Sequence, residues 1–244
     1  MRSLPILAYA GAAYLAGSAA LVSFGAFLNG VALPRGIDDG AAGPPLPAVL
    51  ADLALLGLFG LQHSAMARRR FKERLRGVPA ALERSTYVLA TAAVLAAIVL
   101  LWQPLPQPVW QVDHGAARAV LWALHGAGWL IVFASTWMLS HAALFGLSQA
   151  RAYAAGTPPE PVPFATPCFY RLVRHPMMTG FLLLLWAAPE ASAGRVLLNL
   201  GLTAYILAGT ALEERDLHRT LGAAYVAYAR RTPRLLPFRL RSGA

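Results

Sequence analysis

Charge is scarce in this sequence. Of its 244 residues 13% are charged and 57% hydrophobic, whereas a soluble domain carries about 25% charged residues. That shortage excludes an ordinary water-exposed surface and points to a membrane protein, one compact bundle rather than two soluble domains. Cysteine is nearly missing as well. The single Cys168 excludes an internal disulfide and any multi-cysteine metal site, and no metal is expected. Its side chain is expected to be buried and inert. Lys72 stands alone beside 20 arginines, a usage that points to a GC-rich bacterial genome.

A net charge of +10 would suit nucleic acid. The arginines, however, bunch at the ends of apolar runs, with no nucleic-acid motif and no basic stripe interleaved with stacking aromatics. They read as flanks that orient membrane helices, so the bilayer is the expected partner and nucleic acid is not.

Six windows hold no Asp, Glu, Lys or Arg: 3–34, 53–67, 85–112, 119–150, 175–189 and 196–212. A spanning helix needs about 20 largely apolar residues. The first, third and fourth windows are ample, and the second reaches that length by including Asp52. The fifth and sixth are short, and the turn PEASAGR (Pro189–Arg195) makes them a tight helical hairpin. The expected fold is therefore all-α, a polytopic bundle of six transmembrane helices, or five if the fifth is re-entrant. The first segment is longer than a signal-peptide core and is expected to be retained.

Loop charge sets the orientation. On one side fall Arg2, the 67–84 loop with seven basic residues, Arg151, Arg171, Arg174, and seven more from Arg215 to Arg241. The other side has Arg35, Arg118 and Arg195 against Asp38, Asp39, Asp113 and Glu190. With six spans the positive-inside rule puts both termini in the cytoplasm of a multi-pass inner-membrane protein, whereas five would put the two ends on opposite sides. Proline-rich GPPLP, QPLPQP and GTPPEPVPFATP are the breakers between segments.

The polar residues gather at two places. In FYRLVRHPMMTGFLLLLW (Phe169–Trp186), Arg171, Arg174 and His175 precede Pro176, which stands where a helix would start. The open N–H groups after it would make an anion site. Gly180, one turn in, lets a helix or a ligand come close. The alternative is arginines anchored to lipid headgroups with a capping histidine. In EERDLHRTLGAAYVAYARRTPRLLPF (Glu213–Phe238), two carboxylates sit at a membrane boundary, where each costs about 2.5 kcal/mol or more when placed deep. They are tolerable opposite arginines or a cationic ligand. Leu217, Leu221, Tyr225 and Tyr228 recur at helical spacing, as in an amphipathic C-terminal helix on the membrane surface.

RHPxxxG, then EExxL, GxxYxxY and PRLLP, resemble the integral-membrane methyltransferases: isoprenylcysteine carboxyl methyltransferases, phospholipid N-methyltransferases and the NnrU group. Gly60–Leu89, Ser135–Gln149 and Thr166–Pro176 are similar to methanethiol S-methyltransferases, a resemblance that covers roughly residues 50–238. It implies a single methyltransferase domain, with N-terminal helices over 1–150 and a cofactor-binding hairpin and tail over 164–238. It also implies S-adenosyl-L-methionine as donor and methylation of methanethiol, or a similar small thiol, to dimethyl sulfide. The implied donor-site residues are His175, Pro176, Gly180, Glu213 and Glu214, with Tyr170, Arg171 and Arg174 nearby. Relatives often have an aromatic residue where this chain has Met178, whose thioether could pack on the donor instead. A thiol acceptor must lose a proton, and His63 and His141 are the expected groups, with Glu214 as a third catalytic residue; a hydrogen-bonded packing role is the alternative for each histidine. Asp52 and His125 are expected to bond to neighbours. Tyr87, Trp102, Trp110, Trp122 and Trp129 read as interface or packing aromatics, or as substrate walls. No obligatory protein partner is expected. The rival readings are a lipid or isoprenylcysteine methyltransferase and a non-catalytic NnrU-like membrane protein.

Overall fold

Long runs of Leu, Ala and Val without charge leave the backbone to satisfy itself, and in lipid a helix does that. The computed structural model describes residues 3–68, 71, 77–159 and 164–238. Arg2, Arg69, Arg70, Lys72, Arg74, Arg76, Arg239 and Arg241, and part of the proline-rich connector, lie outside the described residues. In chain order come α1 (Ser3–Asn29), α2 (Pro45–Ala67), α3 (Ala80–Leu101), β1 (Pro108–Gln111), α4 (Gly115–Leu139), α5 (His141–Leu144) and α6 (Leu147–Ala155). A 3-10 turn (Cys168–Arg171), α7 (Pro176–Trp186), β2 (Glu190–Ser192), α8 (Ala193–Leu221) and α9 (Ala223–Arg231) complete the chain. β1 pairs with β2 in a two-stranded sheet.

Five helices, α1, α2, α3, α4 and α8, are long and apolar enough to cross a membrane. The shortest, α3, has 22 residues and at 1.5 Å per residue spans the roughly 30 Å hydrocarbon core. The fifth window gives α7, which has only 11 residues and falls well short of that thickness.

The chain divides into two compact units. The first holds residues 1–109, 140–162 and 191–201; the second holds 110–139, 163–190 and 202–244, so α8 begins in one and ends in the other. Within the first unit, α1 and α3 meet at Gly17, where an added Cβ would stand 2.5 Å from a methyl of Val88. Gly146 adopts a φ of +88° before α6 and brings its backbone against that of Ser85, where no side chain would fit. Arg195, buried at the start of α8, donates to the Leu28 carbonyl at 2.7 Å. Asp52 is fully buried and accepts the Gln103 N–H at 2.8 Å, as expected of a buried carboxyl that bonds to a neighbour.

Within the second unit, α4 and α7 run antiparallel with their backbones in contact. A Cβ on Gly128 would come within 2.8 Å of the Gly180 carbonyl, and one on Gly180 within 2.8 Å of the Gly128 carbonyl. Small residues allow this approach, which is common between membrane helices. His125, buried on α4, bonds the Leu184 carbonyl at 2.7 Å and takes the Trp129 indole N–H on its other nitrogen at 3.2 Å. That fixes Nδ1 as the protonated atom and supplies a partner to one of the carbonyls that the end of α7 leaves open. Beyond Trp186 the chain extends. The Ala188 carbonyl accepts from the Trp110 indole at 3.1 Å and the Pro189 carbonyl from the Val112 N–H at 2.8 Å. A short helix plus this extended stretch thus runs back along α4 to its start, which reconciles six charge-free windows with five long helices.

Candidate functional site

Val173 to Thr179 and the segment after α9 lie side by side because each supplies what the other lacks. Pro176 opens α7 with His175 as N-cap, and no side chain caps it. The Thr179 N–H makes the first helical bond, to the His175 carbonyl; the N–H groups of Met177 and Met178 have no acceptor within the helix. Upstream, the N–H groups of Arg174 and His175 donate to the Pro233 and Arg234 carbonyls at 2.9 and 3.1 Å. The Thr179 hydroxyl donates to the Leu235 carbonyl at 2.6 Å. The tail from Thr232 to Leu235 is therefore a strap along the mouth of α7.

The carboxylate of Glu214 lies at the centre. Arg174 donates to it through Nε at 2.6 Å and through Nη2 at 2.7 Å. His175 Nε2 lies 3.1 Å from its Oε1, and the Tyr225 hydroxyl donates to the same oxygen at 3.3 Å. Nη1 of Arg174 reaches on to the Ala229 and Thr232 carbonyls at 3.0 and 2.6 Å. A bidentate arginine–carboxylate pair is among the stronger polar contacts a protein makes. Here one guanidinium ties α8, α9 and the strap together. Glu214 has its charge offset from within the protein.

Its neighbour Glu213 differs. Its side chain is 57% exposed, and its Oε2 stands 3.5 Å from Nδ1 of His175, whose own side chain is buried. His175 thus bridges a half-buried glutamate and an open one.

The tyrosines line the same region. Gly222 (φ +56°) separates α8 from α9, so the expected single amphipathic helix is two pieces. The break turns Tyr225 and Tyr228 inward, at 2% and 7% exposure. The Tyr228 hydroxyl donates to the Tyr170 carbonyl at 2.6 Å. Burial pushes the Tyr228 phenol up to about 12 and the Tyr225 phenol higher still, the Glu214 charge adding to the latter. The Tyr170 phenol is raised by burial and then by Glu213. All three are neutral donors at ordinary pH. Phe164 and His218 complete the aromatic group by edge contacts to Tyr225.

The residues expected from sequence at the donor site, Tyr170, Arg171, Arg174, His175, Pro176, Met178, Gly180, Glu213 and Glu214, all belong to the second unit. Arg174 and His175 both contact Glu214, and His175 also contacts Glu213. Arg171 is exposed, Met178 half-buried, and the close approach at Gly180 is to a helix, at Gly128. Cys168, expected to be buried, is exposed and has a φ of +41°; the 3-10 turn it opens holds it outward. The strap carbonyls and Thr179 were not foreseen, since backbone acceptors leave no trace in residue type. Tyr225 and Tyr228 were visible as a three-residue spacing.

His63 and His141 belong to the first unit. His141 follows the N-cap Ser140, contacts the rings of Tyr14 and Phe145, and lies 3.3 Å from the Tyr14 hydroxyl. Burial lowers its pKa. His63 bonds the Tyr87 hydroxyl through Nε2 at 2.6 Å and lies 3.3 Å from the Thr91 hydroxyl through Nδ1.

The NnrU protein family matches residues 53–238. Methanethiol S-methyltransferase 2 of Bradyrhizobium diazoefficiens is 44% identical over 235 residues, covering 96% of this chain and 90% of that protein. The methanethiol S-methyltransferase of Mycobacterium tuberculosis is 41% identical over 98% of both chains. That of a Pseudomonas species is 43% identical over 87% of this chain and 82% of its own. No solved structure matches the chain. The matched segment takes in both the Glu214 knot and the His63–Tyr87 pair, and the chain belongs to the NnrU protein family, in the branch of the methanethiol S-methyltransferases.

Proposed function

We propose that this protein transfers a methyl group from S-adenosylmethionine to methanethiol, giving dimethyl sulfide, and that it does so in a bacterial inner membrane with both termini in the cytoplasm. The near full-length likeness to methanethiol S-methyltransferases carries the reading. The charge asymmetry of the loops supports the orientation.

The residues of the second unit fit such a donor. S-adenosylmethionine supplies an electrophilic methyl on a positive sulfur and also bears an amino group and a carboxylate. Glu213 is the carboxylate with room for a cation, beside His175. The open N–H groups of Met177 and Met178, with Arg171 nearby, suit a carboxylate. The Met178 thioether and the Tyr170 ring offer soft, polarizable surface. Glu214 and Arg174 build the site rather than neutralise the donor, because each already answers the other.

The acceptor must be a thiolate, which requires a group to take its proton. His63 and His141 are the candidates; Tyr87 and Thr91 bond the ring of the first, and the Tyr14 hydroxyl lies beside the second. The rest of the barrier falls to positioning and exclusion of water. The experiment is incubation of detergent-purified protein with S-adenosylmethionine and methanethiol, with headspace detection of dimethyl sulfide. Product in proportion to enzyme is expected. Labelled methyl appearing on phosphatidylethanolamine instead, or no volatile product above a protein-free control, would overturn the proposal.

A further inference from the structure

Around the strap at the mouth of α7, the second unit exposes side chains that a water-facing surface would hide. Leu172 before the helix, and Leu236 and Phe238 at the end of the strap, are each more than half exposed. The Thr179 bond to the Leu235 carbonyl sets that end beside the first turn of α7. Arginines accompany the apolar residues. Arg171, Arg230 and Arg231 are exposed and Arg234 is half-buried, while Gly222 to Phe238 contains no Asp or Glu. Arg174 is answered by Glu214; the strap and α9 bring no carboxylate of their own to answer the others.

The depth of this patch follows from the packing of α7 on α4. A Cβ on Gly180 would stand 2.8 Å from the Gly128 carbonyl oxygen and 3.0 Å from the Val132 nitrogen, so Gly180 is level with that turn of α4. The two helices are antiparallel. Pro176, about one turn before Gly180, is therefore level with the turn that follows Val132. From there α4 runs on to Leu139, and its side chains Phe133, Trp137 and Leu139 are exposed and apolar. An exposed tryptophan near the end of an apolar helix marks the membrane–water boundary. The mouth of α7 thus opens at headgroup depth. Apolar side chains beside unanswered arginines at that depth fit acidic phospholipid, the former entering the acyl boundary and the guanidinium groups meeting phosphates.

We propose that the strap is seated in an anionic bilayer surface, Leu236 and Phe238 in the acyl boundary and Arg230 and Arg231 on lipid phosphates, and that this seat tightens the donor site. The second half rests on the donor-site reading above and names what regulates that site. The connection is short. The Pro233 and Arg234 carbonyls accept from the Arg174 and His175 N–H groups, and the Leu235 carbonyl accepts from Thr179. Arg231 precedes this run by one residue and Leu236 follows it directly. Lipid that holds both ends of the strap therefore holds His175 beside Glu213, the carboxylate that faces the donor's charge. In a neutral leaflet the apolar end remains seated and the arginine end does not.

The test uses the full chain in nanodiscs of phosphatidylcholine, alone or mixed equally with phosphatidylglycerol. In a Cys168→Ser background, Phe238→Cys carries a spin label whose collisions with dissolved oxygen and with a water-soluble nickel chelate are compared. Oxygen should dominate. Nickel dominance would put the strap in water, open to a soluble partner, and overturns the seat. S-adenosylmethionine is then titrated into wild type and Arg230→Gln/Arg231→Gln. An arginine at an anionic surface gains roughly fivefold in affinity, so phosphatidylglycerol should tighten donor binding by wild type about tenfold. The double variant should keep less than about a third of that gain, while matching wild type in phosphatidylcholine. No lipid effect in wild type overturns the proposal. An equal gain in the variant also overturns it, since the membrane would then merely concentrate a cationic donor. A wild type that binds no donor in either membrane contradicts the donor-site reading instead, and the spin label still decides the seat.

Discussion

In the second unit Glu214 is ringed by Arg174, His175 and Tyr225; in the first, His63 and Tyr87 share a single hydrogen-bonded proton beneath the Arg84 guanidinium. One cluster stores opposite charges that cancel, and breaking it leaves a buried ion. The other is a neutral pair that acquires charge only when a proton moves. The first is suited to building and holding, while the second has no ion to strand when one partner is removed. That difference decides where a substitution should damage the fold and where it should damage only the rate.

The largest effect is expected at the ionic knot. Arg174→Ala strands the Glu214 carboxylate, both residues being under 15% exposed, and frees the Ala229 and Thr232 carbonyls. Removing one partner of a buried pair costs about 3 kcal/mol or more. Denaturation of the detergent-solubilised protein should show that loss, together with loss of S-adenosylmethionine binding. A variant as stable as wild type would break the comparison, because Glu214 would then not depend on its arginine.

Next come the helix contacts that carry the knot. Gly180→Ala drives a methyl into the Gly128 carbonyl at 2.8 Å and should cost about 1–3 kcal/mol, read from the same denaturation curves. His125→Ala removes the donor to Leu184 and should cost about 1–2 kcal/mol. Neither change touches the His63–Tyr87 pair, which belongs to the first unit.

The smallest effect is alkaline. Tyr228 holds its proton to about 12 in the folded protein against 10.0 ordinarily. Between those values the folded state binds more protons than the unfolded chain, so stability falls as pH rises through that window and is fully present below it. Tyr228→Phe should make this slope shallower, the raised Tyr225 and Tyr170 phenols keeping the rest, while losing the bond to Tyr170. An unchanged alkaline slope would show that the slope comes from another group.

The sequence displays the two clusters unequally, for a physical reason. Arginine and glutamate are expensive in lipid, so Arg174, Glu213 and Glu214 stand out against apolar neighbours, and their meeting could be anticipated from the hairpin. His63 was noticed too, but Tyr87, 24 residues away on another helix, read as one aromatic among several. Nothing in residue type says that two such side chains face each other. The strap was invisible because its acceptors are backbone carbonyls. The length of α7 was legible only as a short window; that Ala187–Pro189 would extend to meet the segment before α4 was not.

Glu213, rather than Glu214, is assigned to the methyl donor's positive charge, and one pair of titrations tests that most directly. S-adenosylmethionine and its neutral-sulfur product are each titrated into wild type and Glu213→Gln. A charge-assisted contact is worth about 1.5–3 kcal/mol, so the variant should bind the donor at least tenfold more weakly, with denaturation unchanged. Equal donor affinity in both proteins would contradict the account. A matching loss for the product would assign Glu213 to the amino group that the two molecules share rather than to the sulfonium.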